Sequence, residues 1–411
     1  MINIRSFPTY LATPSGATRV VAPPYDSMTP EERSAFGTTH PENFINAIRS
    51  IEQFHDGNEL SLNELLRRNV ETLEKSLKSD AFSFQSQPMI FIYQLSHEDH
   101  TQTGIVAEVP LSDYRSGLIL GHENTRAEHE ERLYQYLKVV GAVSSPICAA
   151  YSGNSVIDDI VANVTSGPEW IEFEDDYHVV QKIWRIMDQR VQRSLVSLFR
   201  EIPVMYLTDG HHRVAAGVRY ADQKSGESTG DEPWHHLLMA LFPIDQMRIL
   251  SFNRCIRDMG NLSASDLLTD LSKVFSVKKC QPSALDFYGP RRRREFVLLM
   301  DHEYYRLTIS PERVSNHPVD SLDVSLLQDL VLAPLLGIFN PRSDSRLGYV
   351  AGESGLTGLQ DRCREGWRLC FACYPTSFDE LMAVADAGLR MPPKSTCFDP
   401  KARSGIFVRR F

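Results

Sequence analysis

The sequence predicts a mixed α/β (α+β) protein of two domains, on three observations. Short apolar runs of strand length alternate along the chain with segments whose apolar residues recur at helical spacing. The 411 residues are 42% hydrophobic and 23% charged, which suffices for two domains with sizeable cores. No internal repeat or low-complexity tract interrupts the pattern.

Near the start, Val20-Val21-Ala22-Pro23-Pro24-Tyr25-Asp26 reads as a strand end running into a rigid turn, because two prolines fix φ and cannot donate to a ladder. Thr29-Pro30-Glu31-Glu32 opens a helix with Thr29 as cap, Pro30 in the first turn and Glu32 completing a capping box. Between Glu59 and Lys78, Leu62, Leu65, Leu66, Val70, Leu73 and Leu77 give a helical stripe. Strands are expected at Met89–Leu95 and Ile105–Val109. The apolar set Ile183, Trp184, Met187, Val191, Leu195 and Leu198 predicts a helix over Val179–Phe199. A short strand, Pro203–Leu207, precedes the most distinctive motif, and strands follow at Leu237–Ile244 and around Arg248–Ile256. Lys224–Glu232 reads as a loop.

The second half reads as a separate unit. Ser263 caps a helix, Glu295–Ile309 forms a hairpin turning at Asp301-His302-Glu303, and Ser321–Leu336 is apolar enough for a buried helix. Trp367–Tyr374 reads as a strand, and Ser377-Phe378-Asp379-Glu380 is a capping box for a helix to about Ala387. A boundary near residues 258–264 divides the chain into domains 1–260 and 261–411.

Charge and cysteine usage narrow the function classes. A net charge of −10 argues against nucleic acid or an anionic membrane as a partner, since both need a broad positive field. It leaves room for a small basic pocket. Seven scattered cysteines do not form a disulfide framework, the N-terminus lacks a signal-peptide pattern, and no apolar run approaches the roughly 20 residues that span a bilayer. A cytoplasmic protein is expected.

The segment Val204-Met205-Tyr206-Leu207-Thr208-Asp209-Gly210-His211-His212-Arg213 has the form strand, tight turn, helix start. Glycine permits a sharp turn and close approach of backbone to a ligand. The N–H groups of a first helical turn favour an anion, and Arg213 adds a fork suited to phosphate or carboxylate. Asp209 would repel a phosphate unless it accepts a proton, binds a cation or holds a hydroxyl or amine. Read structurally, Asp209 is only a helix cap and the histidines are surface residues.

A second cluster is Gly121-His122-Glu123-Asn124-Thr125-Arg126, followed by Glu130, Glu131 and Arg132. A third, Met391-Pro392-Pro393-Lys394-Ser395-Thr396 with Pro400-Lys401 beyond, sets a lysine beside two hydroxyls but lacks the glycine loop of a Walker motif. Cys370 and Cys373 have CxxC spacing, yet in an apolar strand positions i and i+3 face opposite ways, so the pair reads as structural. The basic run Arg291–Arg294 reads as a solvated loop or strand entry. No metal-ligand motif is present, and neighbouring His211 and His212 project about 100° apart on a helix, too far to share a metal.

Taken together, Val21-Ala22-Pro23-Pro24-Tyr25-Asp26, His122 to Arg126, Asp209 to Arg213, Phe242-Pro243 with Asn253-Arg254, and Met391 to Thr396 resemble, in order, the landmarks of the domain-of-unknown-function 1015 family, from about residue 5 to residue 411. The chain departs from that pattern at His129 and Glu131, where lysine and aspartate would be expected. The Asp-Gly-His-X-Arg turn also resembles that of free serine kinases of the ParB/sulfiredoxin-like fold. That resemblance implies a ParB/sulfiredoxin-like first unit beside a second α/β unit. It further implies a phosphotransferase that uses ATP or ADP with Mg²⁺ to phosphorylate a small hydroxyl compound, free serine or a related amino acid first.

On this expectation Asp209 is the acidic group at the substrate hydroxyl, with Glu123 as a second carboxylate. Gly210, His211, His212 and Arg213 form the phosphate cradle, to which Lys394, Ser395 and Thr396 are added. Tyr25, Asp26, His122, Thr125, Arg126, Asn253 and Arg254 contact substrate, and the distant motifs converge on one cleft. The small-molecule substrate and the nucleotide are the expected partners, and the oligomeric state is left open. Two other classes fit the same residues: a nucleotide-binding regulatory module without turnover, and a metal-dependent phosphomonoesterase.

Overall fold

The computed structural model describes residues 1–54, 60–224, 229–280 and 289–411. The chain divides into two compact units, Met1–Met247 with Pro400–Phe411, and Arg248–Asp399. The second unit is thus an insertion. It is entered by the strand Arg248–Leu250 and left by Cys397–Asp399, and these pair antiparallel with an ion pair between Arg248 and Asp399. The boundary falls before the expected residue 260, for a reason of pairing. Phe252–Ile256 is hydrogen-bonded to Leu347–Ala351 and Leu369–Cys373, both about a hundred residues downstream, and so belongs to the second unit. The last twelve residues return to the first.

The first unit is built on a mixed, mainly antiparallel sheet. Along it run Ile119–Leu120, Met205–Asp209, Ile147–Tyr151, His236–Pro243, His100–Pro110, Phe82–His97, Phe7–Ala12, Phe407–Arg410 and Ala142–Val143. Val180–Ile186 also pairs with the long strand Phe82–His97. Both faces of this sheet are covered. Along the long strand, Phe91 and Tyr93 enter one core with Phe7, Leu11, Phe242 and Phe407. Ile90 and Ile92 enter the other with Ala149, Leu207, Leu241, Leu195 and Val214. Burial on both faces is why these strands read as continuous apolar runs rather than alternating ones.

Local signals predicted the helix ends well. The capping box at Thr29 starts the helix Pro30–Thr39, Ser263 caps Ala264–Ser272, and the box at Ser377 starts Phe378–Asp386. The helical stripe at residues 62–77 forms Leu62–Leu77, with Leu65, Leu66, Leu73 and Leu77 buried. Glu59, and residues 225–228 of the expected loop, lie outside the described residues.

Three expectations need correction. Val179–Phe199 is not one helix: Val180–Ile186 is a strand, and Asp188 then caps the helix Gln189–Phe199. β-branched Val180, Ile183 and Ile186 suit a pleated surface, and pairing with Phe82–His97 decides the matter. Ser321–Leu336 holds only a short helix, Asp323–Leu327, which widens into i→i+5 bonding with Ala333 N donating to Gln328 O. Val20 is not a strand end: it closes the short helix Ala17–Val20, and the extended pairing that follows is the single bridge from Ala22 to Ser404.

The second unit carries a six-stranded antiparallel sheet in the order Phe275–Cys280, Glu303–Ile309, Glu295–Met300, Leu369–Cys373, Phe252–Ile256, Leu347–Ala351. Its hairpin turns at Asp301 and His302, both at positive φ. Cys370 and Cys373 fall in different cores, on opposite faces of the sheet as the strand alternation required. Cys370 lies instead against Cys255, its cross-strand partner, with Sγ atoms 2.6 Å apart. All seven cysteines are free thiols. No helix among the described residues is long and apolar enough to cross a membrane.

The returning C-terminal strand should be indispensable to the first unit. Phe407 is fully buried with its ring 5.1 Å from that of Phe91. Phe407→Ala should therefore cost about 3–5 kcal/mol in denaturant unfolding of that unit, and a loss below about 1 kcal/mol would contradict this packing role.

Candidate functional site

The strand Met205–Asp209 delivers Asp209 to the edge of the core, and the helix His211–Lys224 begins two residues later. Gly210 joins them at φ +95°, a backbone that L side chains rarely adopt. A Cβ there would also stand 3.0 Å from Arg213 Nε and 3.1 Å from Ile147 Cγ1. The glycine is thus required twice, once for the turn and once for the arginine folded against it.

Arg213 lies one helical turn from Asp209. Its Nη2 pairs with Asp209 Oδ2, and its Nη1 donates to Pro146 O at 2.9 Å. Burial opposes the charge of Asp209, but the charges of Arg213 and Lys401 favour it, and the carboxyl is held below its ordinary value. Asp209 is therefore an ionised carboxylate at neutral pH, with its side chain still 34% exposed. Cys148, its register partner on the neighbouring strand, is a different case. Burial first, and then the charge of Asp209, push that thiol up to about 12, so it is a protonated neighbour and not a nucleophile.

The loop carrying His122 to Arg126 docks onto this turn through two hydrogen bonds of one kind. The backbone N–H of His122 donates to His211 Nε2 at 3.3 Å, and that of Arg126 donates to His212 Nε2 at 2.9 Å. An acceptor Nε2 fixes both rings as the neutral tautomer with its proton on Nδ1. For His211 that proton lies toward Glu123, whose Oε2 is 3.9 Å from Nδ1. The rings of His122 and His211 meet edge to face at 4.7 Å, and Gly121 allows the approach, since a Cβ there would lie 3.1 Å from the His211 ring. Glu123 is as exposed as Asp209, at 34%, so two carboxylates stand at the surface on either side of a buried histidine.

Arg126 caps the helix Ala127–Val140, which packs against His211–Lys224. The two departures from the family pattern both lie here. Glu131 pairs with Arg219 at 2.6 Å and joins the two helices, while His129 sets its ring 5.2 Å from that of His212, beside the site.

Of the expected site residues, the structure brings together Asp209, Gly210, His211, His212, Arg213, His122, Glu123 and Arg126, with Thr125 exposed on the same loop. Tyr25, also in the first unit, donates from its hydroxyl to Ser50 Oγ at 2.6 Å. Asp26 follows it in the turn Tyr25–Ser27. Asn253, Arg254, Lys394, Ser395 and Thr396 belong to the second unit. There Arg254 is buried and donates to Lys394 O at 3.0 Å, Ser395 Oγ donates to Pro392 O at 2.7 Å, and Asn253 Oδ1 accepts from Cys373 N at 3.0 Å. These contacts shape the segment around Lys394, an exposed residue at φ +56°.

Lys401 was missed as a member of the site. Its charge acts on Asp209 because Pro400–Phe411 returns to the first unit, where Arg403 Nη1 holds Lys401 O at 2.9 Å. The dipeptide Pro400-Lys401 was visible in the sequence, but no local pattern ties it to a residue 192 positions earlier in the chain (401 − 209).

The family model described as "Protein of unknown function (DUF1015)" matches residues 4–325, and the chain belongs to that family. No curated protein matches it. Among solved structures it is similar to a free serine kinase variant in complex with ADP, at 13% identity and a TM-score of 0.37 over 74% of this chain and 92% of that one. It is also similar to SbnI with a C-terminal truncation from Staphylococcus aureus, at 11% identity and a TM-score of 0.39 over 74% and 86%. A conserved hypothetical protein from Pyrococcus furiosus matches at 11% and 0.35 over 74% and 95%. Likeness of this degree carries no functional inference of its own.

Gly210→Ala tests the turn. It should destabilise the first unit by about 1–3 kcal/mol and displace Arg213 from Asp209, read by denaturant unfolding. Wild-type stability in this variant would show that the turn tolerates a side chain.

Proposed function

We propose that the first unit is a phosphotransferase that uses a nucleotide, ATP or ADP, to phosphorylate a small hydroxyl compound, with free serine or a related amino acid as first candidate. One observation carries the reading: an ionised, partly exposed carboxylate, Asp209, stands at the turn into a helix whose first-turn N–H groups favour an anion. A hydroxyl at Asp209 and a phosphate at the helix start would then be neighbours, which is the alignment phosphoryl transfer needs.

The division of labour follows from the contacts. Arg213 occupies Asp209 Oδ2 and orients the carboxylate, so Oδ1 is the oxygen that would accept the hydroxyl proton. Lys401 adds positive charge near Asp209. Glu123, whose Oε2 lies 3.9 Å from His211 Nδ1, would hold an amine or a second hydroxyl.

Mg²⁺ would serve to neutralise phosphate charge. Among the described residues no group of three or more His, Cys, Asp or Glu side chains is arranged to hold a metal. This suits an ion carried mainly by nucleotide phosphates and waters, with Asp209 or Glu123 contributing a single oxygen. The same donor set gives a metal-dependent phosphomonoesterase no observation in its favour.

The test pairs calorimetric nucleotide titration with detection of phosphorylated product after incubation with Mg²⁺, ATP or ADP, and a panel of hydroxyl compounds beginning with serine. Asp209→Asn should leave nucleotide binding intact and cut turnover by about 10²–10⁴. Undiminished turnover in that variant would make Asp209 a cap. Nucleotide binding by the wild type with no product from the whole panel would establish a binding module instead.

A further inference from the structure

The second unit holds three of its cysteines in a row. Its strands Phe252–Ile256 and Leu369–Cys373 pair antiparallel, with Cys255 directly opposite Cys370. Both side chains enter the small core formed by Val297, Leu299, Val350 and Ala372. The helix Gly355–Arg364 packs against Leu369–Cys373 and adds Leu359 and Cys363 to that core. From the surface inward the sulfurs run Cys363, Cys370, Cys255. Cys363 is partly exposed, and its Sγ is 3.6 Å from that of Cys370. Cys370 and Cys255 are fully buried, with their Sγ atoms 2.6 Å apart. Cys373 faces the other core and stands outside the row.

A single buried cysteine acts as a small apolar residue, but three thiols in series can exchange bonds with one another. Directly opposed residues of an antiparallel pair have Cα atoms about 4.5–5.5 Å apart, within the roughly 4.4–6.8 Å that a disulfide spans. Cys255 and Cys370 can therefore be joined without moving the sheet. What a fully buried pair lacks is a route for an oxidant, and the partly exposed Cys363 provides one through its contact with Cys370. Cys280, also partly exposed, bonds through its Sγ to a carbonyl, Lys278 O, rather than to a thiol.

We propose that Cys363, Cys370 and Cys255 form an oxidative modification site, which takes up a two-electron oxidation from a hydroperoxide at Cys363 and stores it as the cross-strand disulfide Cys255–Cys370. The Cys363 thiolate attacks one oxygen of hydrogen peroxide, the O–O bond breaks, and hydroxide leaves and takes up a proton as water. Cys363 is then a sulfenic acid. The Cys370 sulfur displaces its hydroxyl as a second water and forms Cys363–Cys370. Cys255 next attacks the Cys370 sulfur, and Cys363 departs and regains its proton. One peroxide is reduced to two waters, and two thiols are oxidised to one disulfide. The hydrogen bond to Cys370, and then burial, push the Cys363 thiol up, so it rests protonated and the oxidation is slow at neutral pH. The bond joins residues 115 positions apart, which should stabilise the second unit against unfolding. The inference concerns the second unit alone and does not need the phosphotransferase reading.

Peptide mapping without reductant tests it on the full chain, after hydrogen peroxide treatment and alkylation of the remaining thiols in denaturant. Trypsin should release Cys255-Ile256-Arg257 bonded to Leu369–Arg390, and dithiothreitol should separate the two. Fragmentation of the longer peptide should place the bond at Cys370. Recovery of both peptides only as alkylated thiols, or a bond through Cys373, would overturn the disulfide. Cys363→Ser changes a partly exposed position and should form the same linkage at least about tenfold more slowly. Formation at the wild-type rate in that variant would overturn the entry through Cys363. In the wild type the rate should rise about tenfold per pH unit above neutral, as the thiolate fraction does. A rate flat with pH would show that Cys363 is not the sulfur that opens the reaction.

Discussion

Two backbone N–H groups, those of His122 and Arg126, donate to the Nε2 atoms of His211 and His212, and the candidate site exists as a unit because of them. The buried N–H of His122 must find an acceptor, and side chains of a distant helix supply one to it and another to the exposed N–H of Arg126. The consequence runs both ways. The loop gains a fixed path that sets Glu123 toward His211 Nδ1 and starts the helix Ala127–Val140 at Arg126. The two imidazoles gain a fixed tautomer, and with it a neutral state, because an imidazolium has no lone pair left to accept. The histidines of the Asp-Gly-His-His-Arg motif are thus joints between segments some ninety residues apart as well as candidate contacts to a phosphate.

A second constraint comes from the chain's end. Pro400–Phe411 crosses back to the first unit, where Phe407–Arg410 completes the sheet between Phe7–Ala12 and Ala142–Val143. Arg403, buried beside Asp175 at 2.6 Å, and the Tyr93 hydroxyl accepting from Arg403 N fix the path of this segment. Lys401 is carried next to Asp209 as a result. The charge balance at Asp209 therefore depends on a strand inserted from the far end of the sequence, and a buried ion pair holds that strand in place. Breaking one partner of such a pair is costly because the other is left charged and dry.

Sequence was most informative where the determining contact is local. Thr29 with Glu32, and Ser377 with Glu380, are three residues apart, so their boxes could be read directly. Gly210 marked the turn because no other residue takes its conformation cheaply, and Cys370 and Cys373 separated as strand alternation required. Where two periods fit, the sequence misled: Ile183 and Trp184 suit a helical face as well as a strand, and only pairing with Phe82–His97 decides between them. The domain boundary failed for the same reason, since the partners of Phe252–Ile256 lie far downstream. At the site, the motif residues were legible but their contacts were not. Arg213 was expected to offer its fork to a ligand, and in the fold its Nη1 and Nη2 serve Pro146 and Asp209.

The account stands most directly on the state of two imidazole rings. Nitrogen-15 NMR of protein labelled in its histidine side chains, with His211 and His212 assigned by single substitution, reports which ring nitrogen carries the proton. At neutral pH both Nε2 signals should be of the unprotonated, acceptor type, with scalar coupling to the amide protons of His122 and Arg126. A proton on Nε2 of either ring would break its bond to the loop and contradict the union of the two motifs into one site.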